Sequence, residues 1–376
     1  MSSINRILQA EIEKRMQPGK VMLLFGARRV GKTMLIKSIA DRFQGRKMIL
    51  NGEDSSTHLL LQEKTISNYR LLLHDTDLLI IDEAQNIPDI GMKLKLIVDE
   101  IPTVYVIASG SSSFDLLNLA GEPLVGRSQT FYLFPFSQEE LLQVENRVEA
   151  IQNLPVKLIY GSYPQTIGMT NIQKEEYLTD MVNAYLLRDL LNIDGLRNSN
   201  KMRDLLRLLA YQVGNLVSYD ELGKQLGLSK NTVEKYLDLL SKVFVIYKLP
   251  AFSGNLRKEI SKSSKWYFYD NGIRNALISN FSPLSVRTDA GQLWESFMIA
   301  ELLKKKHFHY QNLNHYFWRT YDQQEVDLIE TKNEEIKAYE FKWSEKKSKI
   351  PTAFSKAYPN ADFQQIHQIN FLNCLL

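Results

Sequence analysis

The sequence predicts an α/β protein of more than one domain: a parallel sheet carrying a phosphate-binding loop, then a winged helix, then a second α/β domain. Three observations predict it. The apolar run Val21-Met22-Leu23-Leu24-Phe25 leads into Gly26-Ala27-Arg28-Arg29-Val30-Gly31-Lys32-Thr33, which matches GxxxxGK[ST]. A second aliphatic run, Leu78-Leu79-Ile80-Ile81, ends in the adjacent carboxylates Asp82 and Glu83. Towards the C-terminus, a helical pattern at Leu293–Leu303 precedes two segments, Gln324–Ile329 and Ile336–Lys342, with strand patterning.

Ile4, Ile7, Leu8 and Ile12 repeat with helical spacing, and Pro18-Gly19 breaks that helix ahead of the first strand. In the loop that follows, glycine is needed at both fixed positions, because the backbone must turn sharply and bring its N–H groups to phosphate oxygens without a Cβ in the way. Backbone from Gly26 to Met34 is therefore the candidate phosphate cradle. Lys32 adds a mobile cation for the outer phosphates, and Thr33 a hydroxyl for Mg²⁺. The helix beginning at Met34-Leu35-Ile36 points its positive end at the anion. Lys47-Met48-Ile49-Leu50 reads as the second strand. At the end of the third, Asp82 is placed to hold Mg²⁺ and Glu83 to polarise an attacking water; the alternative is a solvated acidic turn. Val104–Ala108 is a further strand, ending in Ser109-Gly110-Ser111-Ser112-Ser113. Ligands collect at strand C-termini in parallel sheets, so Ser111 belongs beside the γ-phosphate unless the serines only cap a helix at Phe114–Leu117.

The stretch from Ser137 to Asn200 reads mostly as helices, interrupted at Gly161-Ser162-Tyr163-Pro164-Gln165. Ser218-Tyr219-Asp220-Glu221 is a capping-box sequence opening a short helix that stops at Gly227, and Ser229 caps a second helix through Leu240. Two short helices so joined form a helix-turn-helix. The apolar segments Val243–Lys248 and Lys265–Tyr269 supply the strands that make it a winged helix. From Lys224 to Arg274, Lys224, Lys230, Lys235, Lys242, Lys248, Arg257, Lys258, Lys262, Lys265 and Arg274 face Glu234, Asp238, Glu259 and Asp270, an excess of about six positive charges. The expectation is DNA as partner, with Lys230, Asn231 and Lys235 on the second helix as contacts; the alternative is a winged helix used for protein packing.

Asp327, Glu340 and Lys342 give D-x₁₂-E-x-K, with Glu340 and Lys342 on one face of their strand and Glu295 on the preceding helix as a third carboxylate. Two carboxylates on neighbouring strands can hold Mg²⁺ while the lysine orients a water, an arrangement for phosphodiester hydrolysis. A solvated strand pair would show the same letters.

At 376 residues the chain exceeds one ordinary core. Its one cysteine, Cys374, excludes a disulfide framework or a cysteine-rich metal site within one chain, and fits a reducing compartment. The residues from Met1 to Lys20 carry Arg6, Glu11, Glu13, Lys14 and Arg15, so no secretion signal is expected there; nor does any uncharged apolar stretch span a membrane. A cytoplasmic protein is the expectation. A formal net charge of +3 is too small for bulk attraction to nucleic acid, so a DNA surface must come from local clustering.

Taken together, the chain resembles the bacterial and archaeal AAA-type ATPases that carry a C-terminal domain of unknown function, numbered 4143. The resemblance rests on Gly26–Thr33, Ile80-Ile81-Asp82-Glu83-Ala84-Gln85, Ser109–Ser113 and Gly126-Arg127. It continues in Trp266-Tyr267-Phe268-Tyr269-Asp270-Asn271-Gly272, Trp294-Glu295, Trp318-Arg319, Glu325-Val326-Asp327 and Glu340-Phe341-Lys342-Trp343. It implies an AAA-type ATPase core over 1–140, a helical lid over 141–200, a winged helix over 201–282, and a domain similar to the PD-(D/E)xK nuclease superfamily over 283–376. It implies ATP and Mg²⁺ as cofactors and a homo-oligomer in which Arg127 is similar to the arginine finger offered to a neighbour's nucleotide. Ser111 stands where such ATPases carry a polar sensor. Glu122 departs from the pattern, standing where a second arginine is expected after Leu119-Ala120-Gly121.

Overall fold

The computed structural model describes residues 4–111, 124–186, 199–252, 264–345 and 348–376. It divides into two compact units. The first runs to Phe134 and takes in Lys242–Phe244; the second holds Pro135–Ser241 and Val245–Leu376.

The first unit is built on five strands, β1 (Val21–Phe25), β2 (Lys47–Asn51), β3 (Leu78–Asp82), β4 (Tyr105–Gly110) and β5 (Ser128–Tyr132), in the order β2-β3-β4-β1-β5. Every neighbouring pair is parallel. β1 and β3 are buried at every position, as expected where a parallel sheet is covered on both faces. β5 has no strand pattern of its own: Ser128-Gln129-Thr130 is polar, and pairing with β1 along its whole length makes it a strand. The helix after the loop begins earlier than its apolar pattern suggests, spanning Lys32–Arg42, with Gly31 at φ 97° as its N-cap. Gly26 is required for a different reason, since a Cβ there would stand 2.2 Å from the Leu133 carbonyl oxygen.

The second unit opens with the expected helices, at Gln138–Leu141, Arg147–Gln152, Leu154–Tyr160 and Asn171–Asp180. Ser137, Asn146 and Thr170 open three of them with reciprocal capping boxes to Glu140, Glu149 and Gln173. The break at Gly161 has a cause in the tertiary structure. Asp270 caps the helix Asn271–Leu277, accepting from Gly272 N at 2.8 Å, and its other oxygen accepts from Ser162 N at 2.8 Å. A Cβ on Gly161, at φ 70°, would lie 1.9 Å from that carboxylate.

Next come a helix at Ser199–Tyr211, β6 (Leu216–Val217), helices at Tyr219–Leu226 and Lys230–Lys242, and strands β7 (Ile246–Leu249) and β8 (Ser264–Phe268). The antiparallel sheet they form has the order β6-β8-β7. Ser218 accepts from Glu221 N, Gly227 at φ 61° ends that helix, and Ser229 Oγ accepts from Thr232 N at 3.1 Å. A long helix, Ala290–Phe308, precedes β9 (Asn314–Arg319), β10 (Glu325–Lys332), β11 (Glu335–Phe341), a helix at Thr352–Ala357, and β12 (Asp362–Ile366). β9, β10 and β11 are antiparallel, β12 is parallel to β11, and Trp318, Val326, Ile329, Ala338 and Phe354 pack together on the sheet. Phe252 N donates to Phe317 O at 2.7 Å and Phe317 N to Pro250 O at 3.0 Å, which joins the chain beyond β7 to β9. No helix among the described residues is long and apolar enough to cross a membrane.

The basic count between Lys224 and Arg274 needs correcting. Lys265 and Arg274 are 1% and 2% exposed, so neither can reach a phosphate, and Arg257, Lys258 and Lys262 lie outside the described residues. Arg274 instead donates to Ala210 O at 2.7 Å and, with Arg287, clamps Asp289 at 2.6 to 2.8 Å. Burial alone would raise the Asp289 carboxyl, but the hydrogen bonds and charges of Arg287 and Arg274 outweigh it and hold it at about 2. A folded-state pKa below the unfolded one stabilises above the unfolded value, near 3.9, and that contribution is lost as pH falls towards 2. Asp289→Asn is expected to cost about 1–2 kcal/mol at pH 7, after discounting for solvent screening of a partly exposed carboxylate. Urea midpoints of the variant and wild type should converge between pH 4 and pH 2, as the unfolded and folded carboxyl titrate in turn.

Candidate functional site

The register of the first sheet gathers the predicted residues. Leu24 pairs with Ser109, Phe25 with Gly110, and Ile81 with Ala108, so the C-terminal ends of β1, β3 and β4 lie side by side. Gly26–Thr33, Asp82, Glu83 and Ser111 all follow those ends.

Lys32 is 5% exposed, and its Nζ donates to Gly26 O at 2.9 Å and Ala27 O at 3.0 Å. The loop's own carbonyls thus hold the ammonium where phosphate oxygens would take it over. Thr33 Oγ1 donates to Asp82 Oδ2 at 2.7 Å. A hydroxyl and a carboxylate in contact beside the loop lysine are suitable oxygen donors for Mg²⁺ next to a polyphosphate, so this donor set fits that ion. Ser109 Oγ bonds Asp82 Oδ1, and Glu83 N donates to the same oxygen at 3.1 Å, fixing the Asp82 carboxylate plane. Arg29 at φ 63° and Gly31 at φ 97° give the loop its turn. Met34 is exposed at the outer face of the first helical turn.

Glu83 sits at φ 49°, an uncommon left-handed conformation that turns the chain immediately after β3. Gln85 holds its carboxylate. Gln85 Nε2 donates to Glu83 Oε2 at 2.6 Å and to Ser111 Oγ at 3.3 Å, while Gln85 Oε1 is buried with no hydrogen-bond partner among the described residues. Gln85 and Ser109 carry no motif of their own; the one sequence signal for Gln85 is its place two residues beyond Glu83.

Arg127 is not part of this cluster. It precedes β5, and Val21 N donates to its carbonyl at 2.9 Å, which puts it at the N-terminal edge of the sheet, roughly 20 Å along the strands from Gly26. Its guanidinium is paired with Asp99 and stays partly exposed. Glu122 lies outside the described residues, as do Ser112 and Ser113.

The second predicted constellation is gathered only in part. Asp327 on β10 accepts from Phe341 N at 2.8 Å, and Lys342 Nζ lies 2.6 Å from Glu340 Oε1. Glu340 Oε2 is buried without a hydrogen-bond partner among the described residues. Burial first, then the charges of Glu295 and Glu340, push the Asp327 carboxyl well above the usual range, against the pull of Lys265 and the Phe341 N–H. Glu295 is engaged elsewhere: Lys265 Nζ stands 3.1 Å from its Oε1, and the Tyr267 hydroxyl donates to the same oxygen. Among the described residues no three carboxylate, imidazole or thiolate groups converge as a metal site. On the two helices at Tyr219–Leu226 and Lys230–Lys242, Lys224, Lys230, Asn231 and Lys235 are all on the exposed face, with Lys230 3.6 Å from Asp220.

Three family models match successive parts of the chain. A family described as "AAA domain" matches residues 18–142, and two described as domains of unknown function, DUF8612 and DUF4143, match 151–284 and 290–371. The chain therefore carries an AAA domain, a nucleotide-binding P-loop module, followed by two domains to which no function is attached. Uncharacterized proteins of Mycobacterium bovis and Mycobacterium tuberculosis are each 27% identical over 327 residues, covering 85% of this chain and 69% of the relative. An uncharacterized protein of Methanocaldococcus jannaschii is 24% identical over 386 residues, covering 96% and 84%. Among solved structures, a Signal Transduction ATPase with Numerous Domains protein with a tetratricopeptide repeat sensor, from Pyrococcus horikoshii, is 13% identical at a TM-score of 0.28. It is matched over 81% of this chain and 46% of its own.

Proposed function

We propose that this protein hydrolyses ATP with Mg²⁺ and uses the cycle to control DNA binding by the helix pair Tyr219–Leu226 and Lys230–Lys242. The observation that carries the first half is the contact between Thr33 Oγ1 and Asp82 Oδ2, 2.7 Å, beside a buried Lys32 and an oriented Glu83. Thr33 and Asp82 would hold the ion, and the backbone from Gly26 to Met34 with Lys32 would hold the phosphates. Bound Mg²⁺ neutralises charge on the transferring phosphoryl group. Glu83 would accept the proton of the attacking water, and Ser111, which shares the Gln85 amide with it, would meet the γ-phosphate. Gln85, whose Nε2 donates to both, keeps the Glu83 carboxylate beside Ser111. Arg127, at the far edge of its own sheet and partly exposed, suits action on a neighbouring copy's nucleotide, which makes the active form a homo-oligomer.

For the second half, the supporting observation is order along the chain. Helix, short strand, two capped helices and two further strands in an antiparallel sheet is the order of a winged helix, and its second capped helix presents Lys230, Asn231 and Lys235 outward. With Lys265 and Arg274 buried, this helix pair carries Lys224, Lys230, Lys235 and Lys242 against Asp220, Glu221, Glu234 and Asp238, so the reading rests on Lys230, Asn231 and Lys235 at the exposed start of the second helix and not on a net basic charge.

Lys32→Ala is expected to lose ATP binding, whereas Glu83→Gln keeps binding and loses turnover by about a hundredfold or more. Fluorescent-nucleotide binding and steady-state phosphate release distinguish them, and a Glu83→Gln protein with normal turnover sinks the assignment. Gln85→Ala should lower kcat about tenfold while KM stays within about twofold, because Gln85 acts on the base and not on the nucleotide. Equal losses in binding and turnover would make Gln85 structural. Lys230→Ala with Lys235→Ala should weaken duplex DNA binding and flatten the slope of log affinity against log salt by about 2. An unchanged slope excludes this face.

A further inference from the structure

Lys265 is the most deeply buried charge near the acidic residues of the C-terminal sheet. It comes from β8, which precedes the domain containing Glu295, Glu325, Asp327 and Glu340. Its side chain is 1% exposed, yet its Nζ lies 3.1 Å from Glu295 Oε1, pairs closely with Glu325 Oε1, and stands 5.6 Å from the Phe317 ring centroid. Arg319 takes the other Glu325 oxygen at 3.3 Å. Burial by itself drives a lysine towards its neutral form; here Glu295, Glu325 and Asp327 together outweigh it and hold the ammonium above the ordinary lysine range. A charged lysine this deep is tolerated only because carboxylates surround it.

The D-x₁₂-E-x-K spacing suggests a divalent ion at Asp327 and Glu340, with Glu295 as a third ligand, and the unpartnered Glu340 Oε2 is what a missing cation would leave. The remaining contacts oppose it: Glu295 Oε1 is shared by Lys265 and Tyr267, both Glu325 oxygens are taken by Lys265 and Arg319, and one Glu340 oxygen by Lys342. Lys265, Arg319 and Lys342 already supply the positive charge this cluster needs. A divalent ion added to it would meet repulsion from a buried ammonium already paired with two carboxylates.

We propose that the acidic cluster is a cation site whose cation is built in: the Lys265 ammonium, delivered by β8, fills the place among Glu295, Glu325 and Asp327 that a divalent ion would take. While it is there, the C-terminal domain binds no such ion. Lys265 is then a positioning residue that closes the cluster and ties β8 to the helix Ala290–Phe308 and to β10. Withdrawing it would leave Glu295, Glu325 and Asp327 without their countercharge, so that they would close on Mg²⁺ or Mn²⁺, a convergence they do not make around Lys265.

The test uses the full chain carrying Lys32→Ala, without nucleotide, so that the phosphate loop draws no metal. Free Mn²⁺ is followed by electron paramagnetic resonance. With Lys265 intact, no Mn²⁺ should bind below about 1 mM. Adding Lys265→Met should create one site at least tenfold tighter, which Asp327→Asn removes again. Metal binding should also raise the melting temperature of the Lys265→Met chain by roughly 3 °C or more at saturating Mn²⁺, and leave the Lys265 chain unmoved. The proposal is overturned if the Lys265 chain binds Mn²⁺ below about 1 mM in a way that Asp327→Asn abolishes, or if a folded Lys265→Met chain gains no site. Should Lys265→Met fail to fold, the titration of the Lys265 chain and its Asp327→Asn variant decides alone.

Discussion

Everything in the first unit depends on the register of its parallel strands. With Leu24 beside Ser109 and Ile81 beside Ala108, a loop after β1, a carboxylate pair after β3 and a serine after β4 must emerge at one edge. The hydrogen bond between Thr33 and Asp82 is a product of that register, because residues 49 apart in sequence meet only if β1 and β3 are held one strand apart with their ends level. A slip of one residue would turn Asp82 towards the opposite face of the sheet and leave Thr33 without its partner. The same register explains why Arg127 is excluded from the cluster: β5 runs parallel to β1, so a residue ahead of β5 is necessarily at the wrong end.

In the second unit the organising interactions are buried and charged. Asp270 ties Ser162 to the start of a helix more than a hundred residues later, Glu301 accepts from Gln138 N at 2.6 Å while pairing with Lys304, and Lys304 reaches Phe136 O at 3.1 Å. Each of these groups would be costly if left alone in the interior, and each is satisfied by a distant segment. Such contacts contribute modestly to net stability, but they penalise any packing that separates the partners. They therefore specify which segments meet.

Those same contacts mark the limit of what the sequence made legible. The phosphate loop, the carboxylates after β3 and the helix caps at Ser218 and Ser229 are local patterns, whose letters carry their chemistry wherever they fold. Burial of Lys265 and Arg274 is not local. Both look like phosphate contacts in a charge count, and only the tertiary structure shows one among carboxylates and the other bonded to Ala210 and Asp289. β5 was illegible because its three polar residues acquire strand geometry from β1 alone. Gln85 escaped notice since glutamine has no titratable signature; its position matters only once Glu83 and Ser111 are seen on either side of its amide.

The two clusters differ in how readily they can exchange what they hold. At the phosphate loop, Lys32 donates to two backbone carbonyls, neutral acceptors that a phosphate oxygen exceeds in charge, so a nucleotide bound there would take over the ammonium with a gain in electrostatic energy. Thr33 likewise gives up one hydrogen bond to Asp82 for a shared ion. In the C-terminal cluster, Lys265 rests on two carboxylates, and a divalent ion entering there would have to displace a buried ammonium whose only alternative is a low-dielectric interior. The first site is at rest in a form that its ligand improves, and the second in a form that an ion would worsen. On the proposed reading, nucleotide chemistry would be confined to the loop, while Glu295 and Glu325 hold β8 in place through Lys265.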